Sequence, residues 1–335
     1  MMRRPACCKN KCFMNNYNGV VSEHSETKLS QLNQLRGLFA LEIIIGHVGR
    51  NTNGILLPFG RFMICSVAFF FFVSAYGMVL SCRKREGYLG CGFLVQKPLF
   101  LLLISLLIYA LEGIVDFLVS PDLGFCDGFW SLSAYFHRTN WFVWELIGLY
   151  LIFWLCYRFG KRYRVILVTC CIVVGILAFY FAGAGVNWYA SVSGFLLGVL
   201  FGEKDTVINK ICTVPGLSVT FVLALFGMCV LFVKEENFLS LVLIRNAMCI
   251  SVLLFTVLIS GYAILRENPV TRFLTRYADA LYFSQFIWLA YGSAVFPDRL
   301  WVRLAFVLLA TTLSAVLVVQ PMIHALKSGL RKCLR

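Results

Sequence analysis

The sequence predicts an all-α fold, a polytopic integral membrane bundle of about ten transmembrane helices with both termini in the cytoplasm. Three observations lead to this prediction: the composition, the long apolar runs and the placement of basic residues. Of the 335 residues, 60% are hydrophobic and only 14% are charged. Because soluble domains carry about 25% charged residues, this composition indicates a chain surrounded by lipid.

Continuous apolar runs predict the individual helices, because about 20 apolar residues span the hydrocarbon core of a bilayer. Three shorter or more polar runs fit the same interpretation, and one more is long enough only if its helix continues through Leu35 and Arg36. The runs do not alternate between apolar and polar residues, which excludes a membrane barrel. The ten runs are Phe62–Cys82, Pro98–Val119, Val165–Val186, Thr213–Val233, Asn246–Leu265 and Leu304–His324, the shorter Trp141–Tyr157, Trp188–Gly202 and Tyr277–Val295, and Gly37–Val48.

The distribution of basic residues predicts the orientation. With the N-terminus in the cytoplasm and ten crossings, 23 Lys and Arg fall on the inner side and 7 on the outer side. Such an excess inside is the positive-inside pattern. The net charge of +14 is therefore attributed to topology, no nucleic-acid partner is expected, and a multi-pass protein of the cell (plasma or inner) membrane is predicted.

The predicted organisation is one transmembrane domain over residues 35–325, preceded by a polar cytoplasmic tail (1–34) and followed by a basic cytoplasmic tail (326–335). No cleavable signal peptide is expected, because the first apolar segment follows a polar stretch and is itself followed by nine more. Most of the 14 cysteines lie singly in apolar segments, so no disulfide framework or metal site is predicted. The cluster of Cys7, Cys8 and Cys12 matches no zinc spacing.

The stretch LRGLFALEIIIGHVGR (Leu35–Arg50) places ionisable residues inside an apolar segment, where they are expensive and indicate function. Arg36 and His47 differ by about 20° around a helix and by about 16 Å along it. They are expected to share one stripe, with the arginine near the cytoplasm and the histidine towards the outside. Glu42 falls on another face, and its role is left open.

Further acidic residues are expected at the depth of His47. Glu112 and Asp116 lie near the outer end of the third predicted helix, and Glu145 lies one turn into the fourth. Together with His47 they suggest a polar cavity at the outer side. The alternative is that these carboxylates mark only where helices leave the hydrocarbon.

Four segments in order resemble the membrane acyltransferase-3 family. Its first helix carries an arginine and a histidine separated by ten residues, as Arg36 and His47 are. SVAFFFFVSAYGM (Ser66–Met78) resembles its second helix, with Ala75 in place of a glycine. NWFVWELIGLYLIF (Asn140–Phe153) resembles its Trp-Phe-led helix. YADALYFSQFIWLAY (Tyr277–Tyr291) is similar to a late segment in which a histidine is common where Gln285 stands.

The resemblance implies transfer of an acyl group, usually acetyl from cytoplasmic acetyl-CoA, to a sugar hydroxyl of a surface polysaccharide or lipid-linked glycan. It implies no permanently bound cofactor, and membrane lipids, the acyl-CoA donor and the glycan acceptor as partners. Arg36 and Lys97, with the Arg83–Arg85 cluster as a weaker candidate, would meet the donor. His47 would be the general base, and Glu145 or Asp116 would orient it. Trp141, Ser74 and Gln285 complete the candidate substrate-binding residues.

Two other functions stay open. Ten helices with intramembrane carboxylates also fit a transporter or flippase of glycan or lipid precursors, although no internal repeat is visible. The replacements at Ala75 and Gln285 also fit a non-catalytic family member. The sequence identifies neither the acceptor, nor the size of the acyl group, nor the oligomeric state.

Overall fold

The computed structural model describes residues 23–50, 56–119, 141–185, 188–204, 214–230, 238–260 and 268–333. These residues form helices and no strand. The helices are α1 (Glu23–Gly49), α2 (Leu57–Lys84), α3 (Cys91–Leu94), α4 (Phe100–Val119), α5 (Trp141–Phe159), α6 (Arg164–Phe181), α7 (Ser193–Glu203), α8 (Val214–Val230), α9 (Phe238–Ile259), α10 (Pro269–Val295), α11 (Leu300–Ser314) and α12 (Gln320–Cys333).

Two π-helical turns join helices into longer rods. Val95–Leu99 connects α3 to α4, and Ala315–Val319 connects α11 to α12. Pro98 lies inside the first of these turns. A proline cannot donate the backbone hydrogen bond of a regular α-helix, which accounts for the wider turn at this point. Counted as rods, the described helices number ten, and the predicted all-helical class is confirmed.

Six of the described helical segments are long and apolar enough to cross a membrane: Leu57–Lys84, Cys91–Val115, Trp141–Phe159, Lys161–Phe181, Val242–Ile259 and Leu300–Cys333. Their outward-facing apolar side chains, such as Phe181 and Leu317, are 80% and 70% exposed. Such exposure suits lipid rather than water. The protein is therefore a multi-pass helical membrane protein, while ten crossings and cytoplasmic termini stay predictions.

Helix boundaries differ from the predicted ones where polar residues continue a helix. The first helix begins at Glu23, eleven residues before the predicted end of the N-terminal tail, and its 27 residues exceed the length of a span. It carries Arg36 and His47 on one uninterrupted rod. Helix α10 begins at Pro269, where Asn268 forms a reciprocal capping box with Thr271. Helix α12 likewise continues past residue 325 to Cys333.

Helices α1, α2, α7 and α10 pack closely because small residues lie at their contacts. A Cβ atom added to Gly198 of α7 would lie 2.3 Å from the carbonyl oxygen of Phe72 in α2. One added to Gly37 of α1 would lie 2.4 Å from the backbone of Leu274 in α10. No larger side chain fits at either position without moving a helix. The first contact holds α7 against α2, and the second holds α1 against α10.

The carboxylate of Glu42, unexplained by the sequence, joins α1 to α2. Ser66 of α2, fully buried, donates its hydroxyl hydrogen bond to this carboxylate. The second carboxylate oxygen, Oε1, is buried without a hydrogen-bond partner among the described residues. Glu42 therefore fixes the rotation of α1 against α2, with its carboxyl group on a different face of α1 from Arg36 and His47.

Candidate active site

A cavity of about 400 Å³ lies between α1, α2, the α3–α4 rod, α5, α10 and α12. Exposed Gln96 and Lys327 mark its mouth. By the predicted topology this mouth faces the cytoplasm. Its volume is within the range of small-molecule sites, about 300–1,000 Å³. The lining combines polar and apolar side chains: Leu29, Asn33, Arg36, Phe70, Val73, Ser74, Gly77, Met78, Ser81, Tyr88, Gln96, Lys97, Phe100, Leu101, Phe142, Leu146, Tyr150, Asp279, Tyr282, Phe283, Ile323 and Lys327.

Three basic side chains and one carboxylate line this cavity. Arg36 donates to Asp279 and forms an ion pair with it, and its guanidinium lies 5.7 Å from the centre of the Phe70 ring. Lys97 interacts electrostatically with Arg36, Asp279 and Lys327. The Nζ atom of Lys327 lies 5.1 Å from the centre of the Phe100 ring. Because the lining includes three basic side chains and one acidic side chain, the cavity has an excess of positive charge.

Neutral hydroxyls line the cavity between its charged mouth and its inner end. Ser74 interacts with Tyr150, and both line the wall. Burial raises the pKa of Tyr88, which lies in the turn between α2 and α3, to about 12. Tyr88 is therefore a neutral hydroxyl at neutral pH.

Aromatic rings close the inner end of the cavity. We call Phe70, Phe142, Tyr282 and Phe286 the aromatic layer. Tyr282 packs against Phe142 at a centroid distance of 4.8 Å, against Phe70 at 5.9 Å and against Phe286 at 5.8 Å. The first three rings line the cavity and Phe286 lies behind them.

His47 lies on the far side of the aromatic layer. Its ring contacts Phe286 edge to face at 5.6 Å, and it does not line the cavity. Among the residues that the structure describes, no side chain or carbonyl forms a hydrogen bond with its nitrogens. Arg36 and His47 thus share a helix as predicted, but the expected common passage is closed in this structure.

The other predicted residues divide between the cavity and the interior. Arg36, Lys97 and Ser74 line the cavity. Gln285 is fully buried outside it and donates to the carbonyl of Tyr282 at 3.0 Å. Trp141 lies at the start of α5, edge to face with Phe142 at 6.5 Å, one ring removed from the cavity.

The two carboxylates expected to orient His47 are not seen to do so. Glu145 is buried, and neither of its oxygens has a hydrogen-bond partner in the described part of the chain. The side chain of Asp116 lies outside the described residues, as do the outer loop 120–140 and the cysteines at positions 7, 8 and 12. The predicted polar cavity of carboxylates around His47 is therefore not seen among the described residues.

The basic cluster at the end of α2 forms structural contacts. Arg83 donates to the carbonyl of Gly202 at 2.9 Å, and Lys84 forms an ion pair with Glu26. Arg85 is exposed. None of the three lines the cavity. Of the basic residues that the sequence predicted to meet the donor, Arg36 and Lys97 line the cavity.

Three residues of the site were not predicted. Asp279 and Tyr150 lie in segments that the sequence analysis singled out for other reasons, and Lys327 lies in the supposed tail. A sequence signal existed for Asp279, because an aspartate within an apolar helix implies a cation on another helix. Its pairing with Arg36, 243 positions away, requires the fold.

The described residues thus form a multi-pass helical membrane protein with a basic interior cavity that has the volume of a small-molecule site. The chain matches the acyltransferase domain of the acyltransferase-3 family over residues 29–320. It belongs to that family, as its resemblance predicted, and is a membrane acyltransferase. Neither the curated proteins nor the solved structures contain a match to it.

Proposed function

We propose that the protein is an O-acyltransferase of the cell membrane that moves an acyl group, acetyl in the simplest case, from cytoplasmic acyl-CoA to a sugar hydroxyl. The acceptor would be a surface polysaccharide or a lipid-linked glycan. The cavity would hold the donor, and His47 would meet the acceptor.

The excess of positive charge in the cavity carries this proposal. Arg36, Lys97 and Lys327 line the cavity, where guanidinium and ammonium groups suit the phosphates of a coenzyme A. Apolar side chains of the same wall, among them Val73, Met78 and Leu101, suit the slender pantetheine arm. The thioester would then lie against the aromatic layer.

The transfer itself needs a base on the acceptor side of that layer. As the acceptor oxygen attacks the thioester carbonyl carbon, a C–O bond forms and the C–S bond breaks. The imidazole of His47 takes the hydroxyl proton and returns it to the departing thiolate, so the base is regenerated. Its nitrogens, which form no hydrogen bond within the described residues, would be available to the acceptor hydroxyl.

The aromatic layer would keep water from the thioester until the acceptor is bound. For transfer, Phe286 and Tyr282 must turn aside so that the acyl group reaches His47. Glu145 and Asp116 stay candidates for orienting the imidazole once the substrates are bound, because catalytic hydrogen bonds are often long or absent before substrate binding.

The proposal is tested with purified protein in proteoliposomes. Labelled acetyl-CoA is added on the side of the cavity mouth and a glycan acceptor on the opposite side. Label should appear in an alkali-labile ester on the acceptor, and His47→Ala should abolish it while leaving membrane insertion intact. Undiminished transfer by His47→Ala would overturn the role of this residue. Mass spectrometry of surface glycans, with and without the protein, identifies the acceptor by a lost acyl mass.

A transporter is the second candidate, favoured by one observation. The cavity has its mouth at one end and is closed by the aromatic layer at the other, as is a transporter site that is open to one side of the membrane. A transporter would move a labelled glycan precursor across the proteoliposome without acyl-CoA. An acyltransferase would leave the precursor on its own side and acylate it only when the donor is present. A non-catalytic family member would do neither.

A further inference from the structure

The outer end of the bundle carries positive charge that topology does not explain. By the predicted orientation only seven Lys and Arg lie outside, where the positive-inside rule disfavours them. Three of the seven lie near the outer end of α1. Arg50 directly follows α1, and Arg61 follows Gly60 of α2, a position packed against the backbone of Arg50. Arg303 reaches α1 from α11.

Arg303 is the unusual member of this group. It is 7% exposed, and its Nη2 atom donates to the carbonyl oxygen of Val48, the residue after His47, at 3.4 Å. Its Nε atom is buried and has no hydrogen-bond partner in the part of the chain that the structure describes. Within the described ranges, no Asp or Glu carboxylate forms an ion pair with it. Buried arginines are normally paired with an anion.

Capping of α1 explains only part of this arrangement. A cation at the C-terminal end of a helix interacts favourably with the last carbonyls and the helix dipole. The contact with Val48 uses one of five N–H donors in the guanidinium and supplies no negative charge. The remaining donors form a planar fork that matches a carboxylate or a phosphate.

We propose that the acceptor is anionic, and that Arg303 binds a carboxylate or phosphate oxygen of the acceptor beside the hydroxyl that His47 deprotonates. This inference rests on the proposed acyl transfer and specifies its acceptor class. A charged group held by Arg303 fixes the position of the neighbouring hydroxyl, because Arg303 contacts the residue that follows His47. Arg50 and Arg61 add to the positive field that attracts such an acceptor.

The test compares three acceptors that share one alkyl chain and one sugar ring: a glucuronide with a carboxylate, a glucoside with a neutral hydroxymethyl group, and a glucoside 6-phosphate. Each is assayed for kcat/KM with labelled acetyl-CoA. Wild-type protein should prefer one anionic acceptor over the neutral one by about 10–100-fold, the range of a hydrogen bond to a charged group. Whichever anion is preferred identifies the carboxylate or the phosphate as the natural group.

Arg303→Gln should reduce that preference to near unity. Arg299→Gln is the matched control, because it removes the same charge. Arg299 lies one turn earlier than Arg303 on the same side and is exposed. The control should retain the preference. Arg303→Lys keeps the charge without the planar fork and should retain part of it, and it serves if the glutamine variant does not fold.

An equal kcat/KM for all three acceptors in the wild type would overturn the proposal, as would an unchanged preference in both Arg303→Gln and Arg303→Lys. Binding of the glucuronide, the 6-phosphate and the glucoside without donor is measured in parallel by calorimetry. If nothing is acylated but an anionic glycoside binds through Arg303, the acyl transfer has failed and the anion site stands. If the neutral glucoside is acylated with the same kcat/KM as the two anionic acceptors, the proposed anion site is wrong and the proposed acyl transfer stands.

Discussion

Arg36 and Arg303 show how differently the two ends of the bundle treat a buried or half-buried arginine. Arg36 lies in a cavity, paired with Asp279 and surrounded by two lysines. Arg303 is packed against α1, and among the described residues it has a backbone carbonyl as partner but no carboxylate. By the predicted topology, the cytoplasmic end thus holds a paired arginine in a cavity, whereas the outer end holds a buried arginine with no carboxylate partner among the described residues.

The aromatic layer makes this difference possible, because it divides the interior into two compartments. On one side, hydroxyls and charged groups face a cavity of about 400 Å³. On the other, His47 touches Phe286 and lies outside that cavity. Under the proposed function, a donor and an acceptor would therefore bind from opposite sides without water joining them. Four predictions test this division, and they are ordered from the largest expected effect to the smallest.

Removal of the imidazole on the outer side should have the largest effect. His47→Ala should lower kcat by about 10²–10⁴-fold, the usual contribution of a general base. Donor affinity should be unchanged, because His47 does not line the cavity. Turnover with labelled acetyl-CoA and calorimetric donor binding measure the two quantities. His324→Ala, an exposed histidine on α12, is the control, and a parallel loss of donor affinity in His47→Ala would show that the compartments are not separate.

Removal of the guanidinium on the cytoplasmic side should weaken donor binding and spare acceptor binding. Arg36→Gln should raise the Kd for acetyl-CoA by about 10–100-fold, since a hydrogen bond to a charged group contributes about 1.5–3 kcal/mol. Arg85→Gln loses the same charge at an exposed position on the same side and should leave the Kd unchanged. Equal weakening in both variants would mean that net charge alone, and not the cavity, attracts the donor.

The buried hydrogen bond between Ser66 and Glu42 should contribute more to the free energy of unfolding than the exposed ion pair between Lys84 and Glu26. Ser66→Ala leaves the buried Glu42 carboxylate without its donor and should lower the free energy of unfolding by about 1–3 kcal/mol. Lys84→Gln breaks an ion pair whose side chains are 46% and 43% exposed and should lower it by at most about 1 kcal/mol. Denaturant unfolding in detergent micelles, followed by tryptophan fluorescence, measures both. A larger loss in Lys84→Gln would reverse the expected ranking.

Thinning of the aromatic layer should have the smallest effect. Phe286→Ala should raise the hydrolysis of acetyl-CoA in the absence of acceptor several-fold, because water would reach the thioester. Release of free thiol, followed with a chromogenic reagent, measures this rate. Phe59→Ala removes a ring that is 42% exposed on α2 and should not change it. Unchanged hydrolysis in Phe286→Ala would indicate that other rings of the layer suffice to exclude water.

The sequence predicted the helices well because each apolar run is continuous, and α2, for example, contains all of the predicted run Phe62–Cys82. It missed the start of α1, since polar residues from Glu23 onwards continue the helix without an apolar signal. Within the site, Arg36, Lys97 and Ser74 were predicted to bind substrate and line the cavity. Asp279 and Lys327 were missed because their proximity to Arg36 depends on how distant helices pack.

The closure between Arg36 and His47 could not be predicted for the same reason. Helical geometry places both residues on one stripe of α1, but the rings between them belong to α2, α5 and α10. A periodicity argument describes one helix and contains nothing about its neighbours. The placement of Glu145 shows the same limit, because its depth along α5 was predictable while its lack of a hydrogen-bond partner among the described residues was not.

The glycine contacts of α1 and α7 have a consequence for how the acyl group advances. With Gly37 against Leu274 and Gly198 against Phe72, the backbone around the cavity is fixed, and separating these helices would break close-packed contacts along their length. For the proposed transfer, the aromatic layer must then open by χ-angle rotation of individual rings. Passage of the acyl group should accordingly depend on temperature and on the bulk of the acyl chain, and little on the thickness of the surrounding bilayer.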